Sequence, residues 1–148
     1  MKTILVPLDL SGAAVRVCDA ACELAKLIGA RPILLHVVQP PPMLMSDVYA
    51  LDAVQLGELT AVAEKSAAHK LRALARHCAK RQVKVVTVQR TGLPVSAILA
   101  KARSTRAGYI VMGSHGHGAM YDLLVGSTTH GVLKKAPCPV LVIPVAER

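Results

Sequence analysis

The sequence predicts a three-layer, doubly wound α/β fold built on a five-stranded parallel sheet. Two observations predict it. Five strand-length apolar segments alternate with helix-periodic segments along the 148 residues, and the strand segments are apolar at nearly every position rather than at every second one. Strands of that kind are buried on both faces, and the helices between them supply the crossovers of a parallel sheet. Right-handed crossovers then place helices on both sides.

The elements follow in order. Thr3 to Leu8 has a strand's length and composition. Ala13 to Ile28 is helical, with Val17, Ala21, Leu24 and Ile28 on one stripe and Gly29 as the stop. Pro32 to Val38 is the second strand, and Gln39-Pro40-Pro41-Pro42 is a stiff loop. A long helix spans about Leu56 to Arg81, with an apolar stripe of Leu59, Ala63, Ala67, Leu71, Leu74 and Cys78. The third strand is Val83 to Val88, and a short helix from about Val95 to Arg103 follows Gly92-Leu93-Pro94. Tyr109 to Met112 is the fourth strand, Ser127 to Lys135 the last helix and Val140 to Val145 the fifth strand.

A 53% hydrophobic content and a mean hydropathy of +0.44 exclude disorder and predict one domain over residues 1–148. A chain of this length buries roughly 70% of its unfolded surface. Trp and Phe are absent, and the aromatic residues are Tyr49, Tyr109 and Tyr121. Base stacking on aromatic platforms therefore has little to work with. No apolar run approaches the ~20 residues that cross a bilayer, and the N-terminus reaches Asp9 too soon for a signal peptide. Cys18, Cys22, Cys78 and Cys138 stand in apolar contexts, as reduced core thiols do. These features predict a cytoplasmic protein. The net charge of +9 favours anionic partners without naming one.

Open α/β sheets bind ligands beyond the carboxyl ends of their strands, where strand order reverses. That rule selects Pro7 to Ser11, Val37 to Pro42 and the segment from Gly113 onward. The last of these, Gly113-Ser114-His115-Gly116-His117-Gly118, leads to Gly126-Ser127 at the start of the last helix. Glycines let backbone N–H groups approach an anion closely, and a helix start offers unpaired N–H groups and a positive dipole end. The segment reads either as a phosphate cradle or as glycines that only shape turns. No Gly-Lys-Ser/Thr follows, so it is not a Walker loop, and position 121 lacks the glycine of a dinucleotide fingerprint.

The spacing Gly113-x2-Gly116-x9-Gly126-Ser127 resembles the G-x2-G-x9-G-[ST] signature of ATP-binding members of the universal stress protein family. The resemblance runs through the whole chain. It includes Ile4-Leu5-Val6-Pro7-Leu8-Asp9-Leu10-Ser11, His36-Val37-Val38, Gly92-Leu93-Pro94, Ile110-Val111-Met112-Gly113 and Ala136-Pro137-Cys138-Pro139-Val140-Leu141-Val142. It implies a Rossmann-like fold of the adenine nucleotide alpha hydrolase type. It also implies a homodimer paired through Val140–Val145 and bound ATP, or ADP or AMP in its place, with Mg2+. Carried over by position, Pro7, Asp9 and Val37 or Val38 line the adenine and ribose side, and Met112 and Gly113 sit near the ribose. Gly116, Gly126, Ser127 and Thr128 hold phosphates, with His117 where the family often has Arg. Gly108 replaces an Asp that often precedes the fourth strand.

Other residues have plainer roles as alternatives. Asp9 serves either a ligand or the cap of a helix starting near Ser11. His115, His117 and His130 have no Cys or carboxylate at metal-ligand spacing, and Cys18 with Cys22 reads as core. Lys65, His69, Arg72, Arg76 and Lys80 share one face of the long helix, which is either a solvated face or a surface for nucleic acid or anionic lipid. Lys134 and Lys135 suit the negative end of the last helix. Asp122 makes no case for hydrolysis, so a regulatory ATP-binding protein with little or no ATPase activity is the expectation. The rivals are a nucleotide-independent protein-interaction module, a true phosphotransferase or ATPase, and a nucleic-acid-associated factor.

Overall fold

The apolar segments line up as one parallel sheet of β1 (Lys2–Pro7), β2 (Ala30–Val38), β3 (Val86–Thr91), β4 (Tyr109–Gly113) and β5 (Val140–Ile143), in the order β3-β2-β1-β4-β5. The computed structural model describes residues 2–40, 53–115 and 125–144. Helices α1 (Ala14–Ile28), α2 (Ala53–Lys80), α3 (Pro94–Ser104) and α4 (Ser127–Lys135) join the strands.

Alternate strand residues face opposite layers. Ile4, Val6, Leu34 and Val111 pack with α1 and α2, while Leu5, Leu35, Ile110 and Met112 pack with α3 and Val132 of α4. Ile4, Leu5 and Val6 are all fully buried, which is why β1 reads as an unbroken apolar run. The doubly wound three-layer fold is therefore as the sequence predicts.

Several boundaries differ. The third strand begins at Val86, not Val83. Gln82 turns left-handed (φ 61°) and the Val83 amide donates to Cys78 O at 3.1 Å, so Val83 closes the helix before the strand can start. Arg106 (φ 48°) and the Ala107 amide, donating to Ala102 O at 2.9 Å, close α3 in the same way. The predicted fifth strand ends at Ile143, and Val145 lies outside the described residues.

The upper part of the α2 stripe also fails. Ala67, Leu71, Leu74 and Cys78 are buried, but Leu59 is half exposed and Ala63 is exposed. Twenty-eight helical residues span ~42 Å, whereas a six-residue strand spans ~20 Å. The hydroxyl of Thr91, the last residue of β3, donates to Glu64 Oε1 at 2.8 Å. Residues of α2 before Glu64 thus run beyond the strand ends and have no sheet to cover.

Cys18 and Cys22 of α1 and Cys78 of α2 are buried in one core cluster. All three are buried free thiols. Above them His77 Nε2 lies 2.7 Å from Asp19 Oδ1, and Arg81 reaches Asp19 and Glu23 at 3.3 and 3.4 Å. No helix among the described residues is long and apolar enough to cross a membrane.

Candidate functional site at the carboxyl ends of β1, β2 and β4

Strand order reverses between β1 and β4. Pairing of these two strands covers only Ile4↔Tyr109 and Leu5↔Ile110, whereas β1 and β2 pair from Lys2↔Ala30 to Pro7↔Leu35. The β1–β4 ladder therefore stops before either strand ends, and the crevice that the fold rule requires opens there.

Pro7 ends β1 and is buried, and the Leu8 amide still donates to Leu35 O at 2.8 Å. The chain then turns sharply. Asp9 Oδ1 accepts from the Ser11 amide at 3.0 Å and from the Ser11 hydroxyl at 2.8 Å. Leu10 between them is left-handed, with φ of 61°. A leucine in that region costs about 1–2 kcal/mol, a strain that tends to be retained at ligand sites. Asp9 does not cap α1. That helix starts after Ala13, which provides no side-chain cap, so the capping alternative is corrected to a turn around Leu10.

Asp9 Oδ2 is buried and has no hydrogen-bond partner among the described residues. A buried polar atom without a partner loses its water with nothing in return, at about 1–3 kcal/mol and more when charged. One oxygen of Asp9 is thus committed to the turn, and the other is free to accept a donor at the crevice.

Val38 at the end of β2 is buried and Val37 half-buried. They pair with Thr91 and Arg90 of β3 respectively. His36 Nδ1 lies 2.8 Å from Leu8 O. A carbonyl only accepts, so Nδ1 carries the proton and the ring ties the end of β2 to the chain just past β1. Gly92 caps this corner: its amide donates to Val38 O at 2.9 Å, and its φ of 141° is one that side-chain-bearing residues avoid.

Met112 is buried and Gly113 half-buried at the end of β4. The Ser114 amide donates to Ile143 O at 2.8 Å, and the Gly126 amide donates to Ser114 O at 2.7 Å. The chain that leaves β4 at Ser114 therefore returns beside it at Gly126. Thr129, buried in the first turn of α4, donates to Gly113 O at 2.8 Å and pins the helix start to the strand. Gly126 is the N-cap of α4, in extended backbone with φ of −68°, and no side chain caps the helix. The positive-φ reason for a glycine fails at Gly126; close approach to the backbone remains. The first-turn amides of Ser127 and Thr128 precede the first intrahelical bond, His130 N to Gly126 O at 2.9 Å. Ser127 is exposed and Thr128 half-buried.

Nine of the residues predicted from sequence thus come to one end of the sheet: Pro7 and Asp9, Val37 and Val38, Met112 and Gly113, and Gly126, Ser127 and Thr128. Gly116 and His117 lie outside the described residues. Sequence reasoning gave four supporting groups no role of their own. Thr129 gave no signal, Ser114 was one serine among glycines, and Ser11 and His36 stood only inside the strings that carry the family resemblance. No group of three His, Cys, Asp or Glu side chains able to hold a metal ion occurs among the described residues.

The universal stress protein family pattern matches residues 1–144. The chain belongs to the universal stress protein family. A universal stress protein of Thermus aquaticus is 33% identical over 142 residues, covering 96% of this chain and 98% of that protein. The structure of universal stress protein UspA from Lactobacillus plantarum is 31% identical, with a TM-score of 0.83, covering 96% of this chain and 97% of that one. Two more distant structures share the fold. One is a universal stress protein in complex with cAMP, at 20% identity, TM-score 0.70, covering 98% of both chains. The other is from Archaeoglobus fulgidus in complex with dAMP, at 23% identity, TM-score 0.68, covering 97% of this chain and 98% of that one.

Proposed function

We propose that this universal stress protein binds ATP, with ADP or AMP as the alternatives, across the carboxyl ends of β1, β2 and β4. The single observation that carries the reading is Asp9 Oδ2, a buried carboxylate oxygen with no partner among the described residues. A ribose hydroxyl or a water on Mg2+ satisfies such an oxygen. In this reading Pro7, Val37 and Val38 line the adenine and ribose side, and Met112 and Gly113 face the ribose. Gly126, Ser127 and Thr128 hold phosphates with the free amides of α4, joined by Gly116 and His117. The cAMP and dAMP complexes of two distant relatives support an adenine nucleotide as the ligand class.

Mg2+ would be held chiefly by phosphate and water, since among the described residues of these strand ends Asp9 alone brings a carboxylate. With one Asp9 oxygen bound to Ser11 and the other given to the ligand, neither is left to activate water, so hydrolysis is slow or absent. Nucleotide binding then orders a surface that a partner protein reads. We place this one-domain protein in the cytoplasm, where Cys18, Cys22 and Cys78 stay reduced.

We also propose a homodimer through β5. The sheet has two edges. The β3 edge carries Gln89 and Arg90, whereas Val140–Ile143 is wholly apolar, with Leu141 42% exposed. Charged edges resist pairing and apolar edges invite it.

Calorimetric titration of Mg-ATP into nucleotide-free protein tests the reading. Micromolar binding that Asp9→Asn weakens about tenfold, or ~1.4 kcal/mol, supports it. No heat at millimolar ATP rejects it.

A further inference from the structure

In a parallel α/β sheet every strand begins, and every preceding helix ends, at the same side of the molecule. Here that side lies opposite the crevice, and it gathers cations from every layer. The last turns of the four helices carry Lys26, Lys80, Lys101 with Arg103, and Lys134 with Lys135. A cation at a helix C-terminus is explained by the helix dipole alone. Four more at this end have no such explanation. Lys2 and Arg31 open β1 and β2, Lys84 precedes β3, and Arg106 stands in the left-handed turn before β4.

Nearly all of these are exposed, Lys101 alone being half-buried. Acidic neutralisation is thin. The ion pairs among the described residues are those of His77 and Arg81 with Asp19 and Glu23. From Lys65 to Tyr121 the chain contains no Asp or Glu at all. The acidic residues Asp9, Glu58 and Glu64 belong to the crevice side, on the β1 turn and the first half of α2.

The geometry points to this amino-terminal end of the sheet as a docking surface for the phosphate backbone of double-stranded nucleic acid, bound without reading sequence. The surface shares Lys80 alone with the α2 face that the sequence singled out, where Lys65, His69, Arg72 and Arg76 project from one helix. Its dimensions fit a duplex. Five strands span ~19 Å, and a helix layer on each face makes the end ~20 Å deep. That footprint meets about six base pairs, whose phosphates recur every ~1.7 Å along the axis. A single-stranded ligand is disfavoured because the aromatic side chain at this end, Tyr109, is half-buried against the core and offers no stacking face. A lipid surface is disfavoured because no apolar belt accompanies the cations. Leu27 and Leu133 are exposed on two separate helices.

Fluorescence anisotropy with a labelled duplex DNA of about 20 base pairs tests the proposal. The end variant is Lys84→Glu/Arg103→Glu/Arg106→Glu. The control, Lys65→Glu/Arg72→Glu/Arg76→Glu, makes the same change in net charge on the α2 face. All six residues are exposed, and a melting curve for each variant checks the fold. For five phosphates neutralised, wild-type binding should weaken about 500-fold between about 50 and about 200 mM salt. The end variant should bind more than about tenfold more weakly, with a log–log salt slope shallower by about 3, while the control keeps most of both. Equal losses in the two variants, or no binding at about 50 mM salt, overturn the proposal. So does preferential binding to phosphatidylglycerol vesicles that the end variant abolishes.

Discussion

The Asp9 carboxylate grips Ser11 with one oxygen, at 3.0 Å from its amide and 2.8 Å from its hydroxyl, and leaves the other oxygen buried without a donor among the described residues. The first half of that relationship builds the turn after β1. The second half is unfavourable for the protein alone.

The two halves separate by mutation. Asp9→Asn keeps an acceptor for Ser11 and removes a buried, unpaired charge. Its stability in urea should match wild type within about 1 kcal/mol or exceed it. Ser11→Ala removes a donor from Asp9 and should destabilise by about 1 kcal/mol or more. A large loss in Asp9→Asn would mean that Oδ2 already has a partner.

Gly131 sits where α4 crosses α3. A Cβ there would lie 2.8 Å from Val95 Cγ2 and 3.3 Å from Cγ1. Val95 is β-branched and stiff, so it yields poorly. Gly131→Ala should destabilise by about 1 kcal/mol despite alanine's better helix propensity. In a Val95→Ala background the same change should stabilise by about 1 kcal/mol. A double-mutant cycle by thermal melting reads the reversal, and additive effects would contradict the close contact.

Burial, with the Cys78 contact second, pushes the Cys22 thiol up to about 12 from an ordinary 9.0. Its hydrogen bond to Cys18, then burial, raises Cys78 in the same direction. The unfolded chain loses these protons at lower pH than the folded one. Their contribution to stability is therefore complete below pH 9 and declines as pH rises from 9 toward 12. Urea midpoints should fall across that window. At neutral pH a thiol reagent should label Cys138, which is half-buried, well before the other three. A flat alkaline profile, or fast labelling of all four, would argue against the packed thiol cluster.

The β5 edge makes a directional prediction. Ile110 N donates to Pro139 O and Ser114 N to Ile143 O, so odd-numbered residues of β5 face β4. The amides of Val140 and Val142 therefore point outward. Val142→Pro removes one outward donor and should shift a dimer toward monomer in light scattering. A wild-type monomer at micromolar concentration would remove the dimer from the account.

Much of this architecture was legible in the sequence because both faces of β1, β2 and β4 are buried, and unbroken runs such as Ile4-Leu5-Val6 show it. What escaped depended on relations between elements. Helix α2 keeps its apolar period through Leu59, but periodicity does not register that the sheet ends beside Glu64. The ends of α2 and α3 were blurred because Gln82 and Arg106, not glycines, take the left-handed position. His36 became a site strut only once the register placed it beside Leu8 O. Cys78 joined Cys18 and Cys22 from another helix, at a spacing no motif records. The glycine segment was legible as a candidate site by its place after the fourth strand, and among the described residues Gly126 returns to Ser114 O.

An amide-resolved NMR titration with Mg-ATP reads whether an adenine nucleotide sits between the β1 turn and the start of α4, as proposed. Saturable shifts should concentrate at Asp9, Ser11, Gly113, Ser114 and Gly126 to Thr128, with the Lys84 and Arg103 amides at the opposite end unmoved. Shifts confined to that basic end, or none at millimolar ATP, would contradict the proposal.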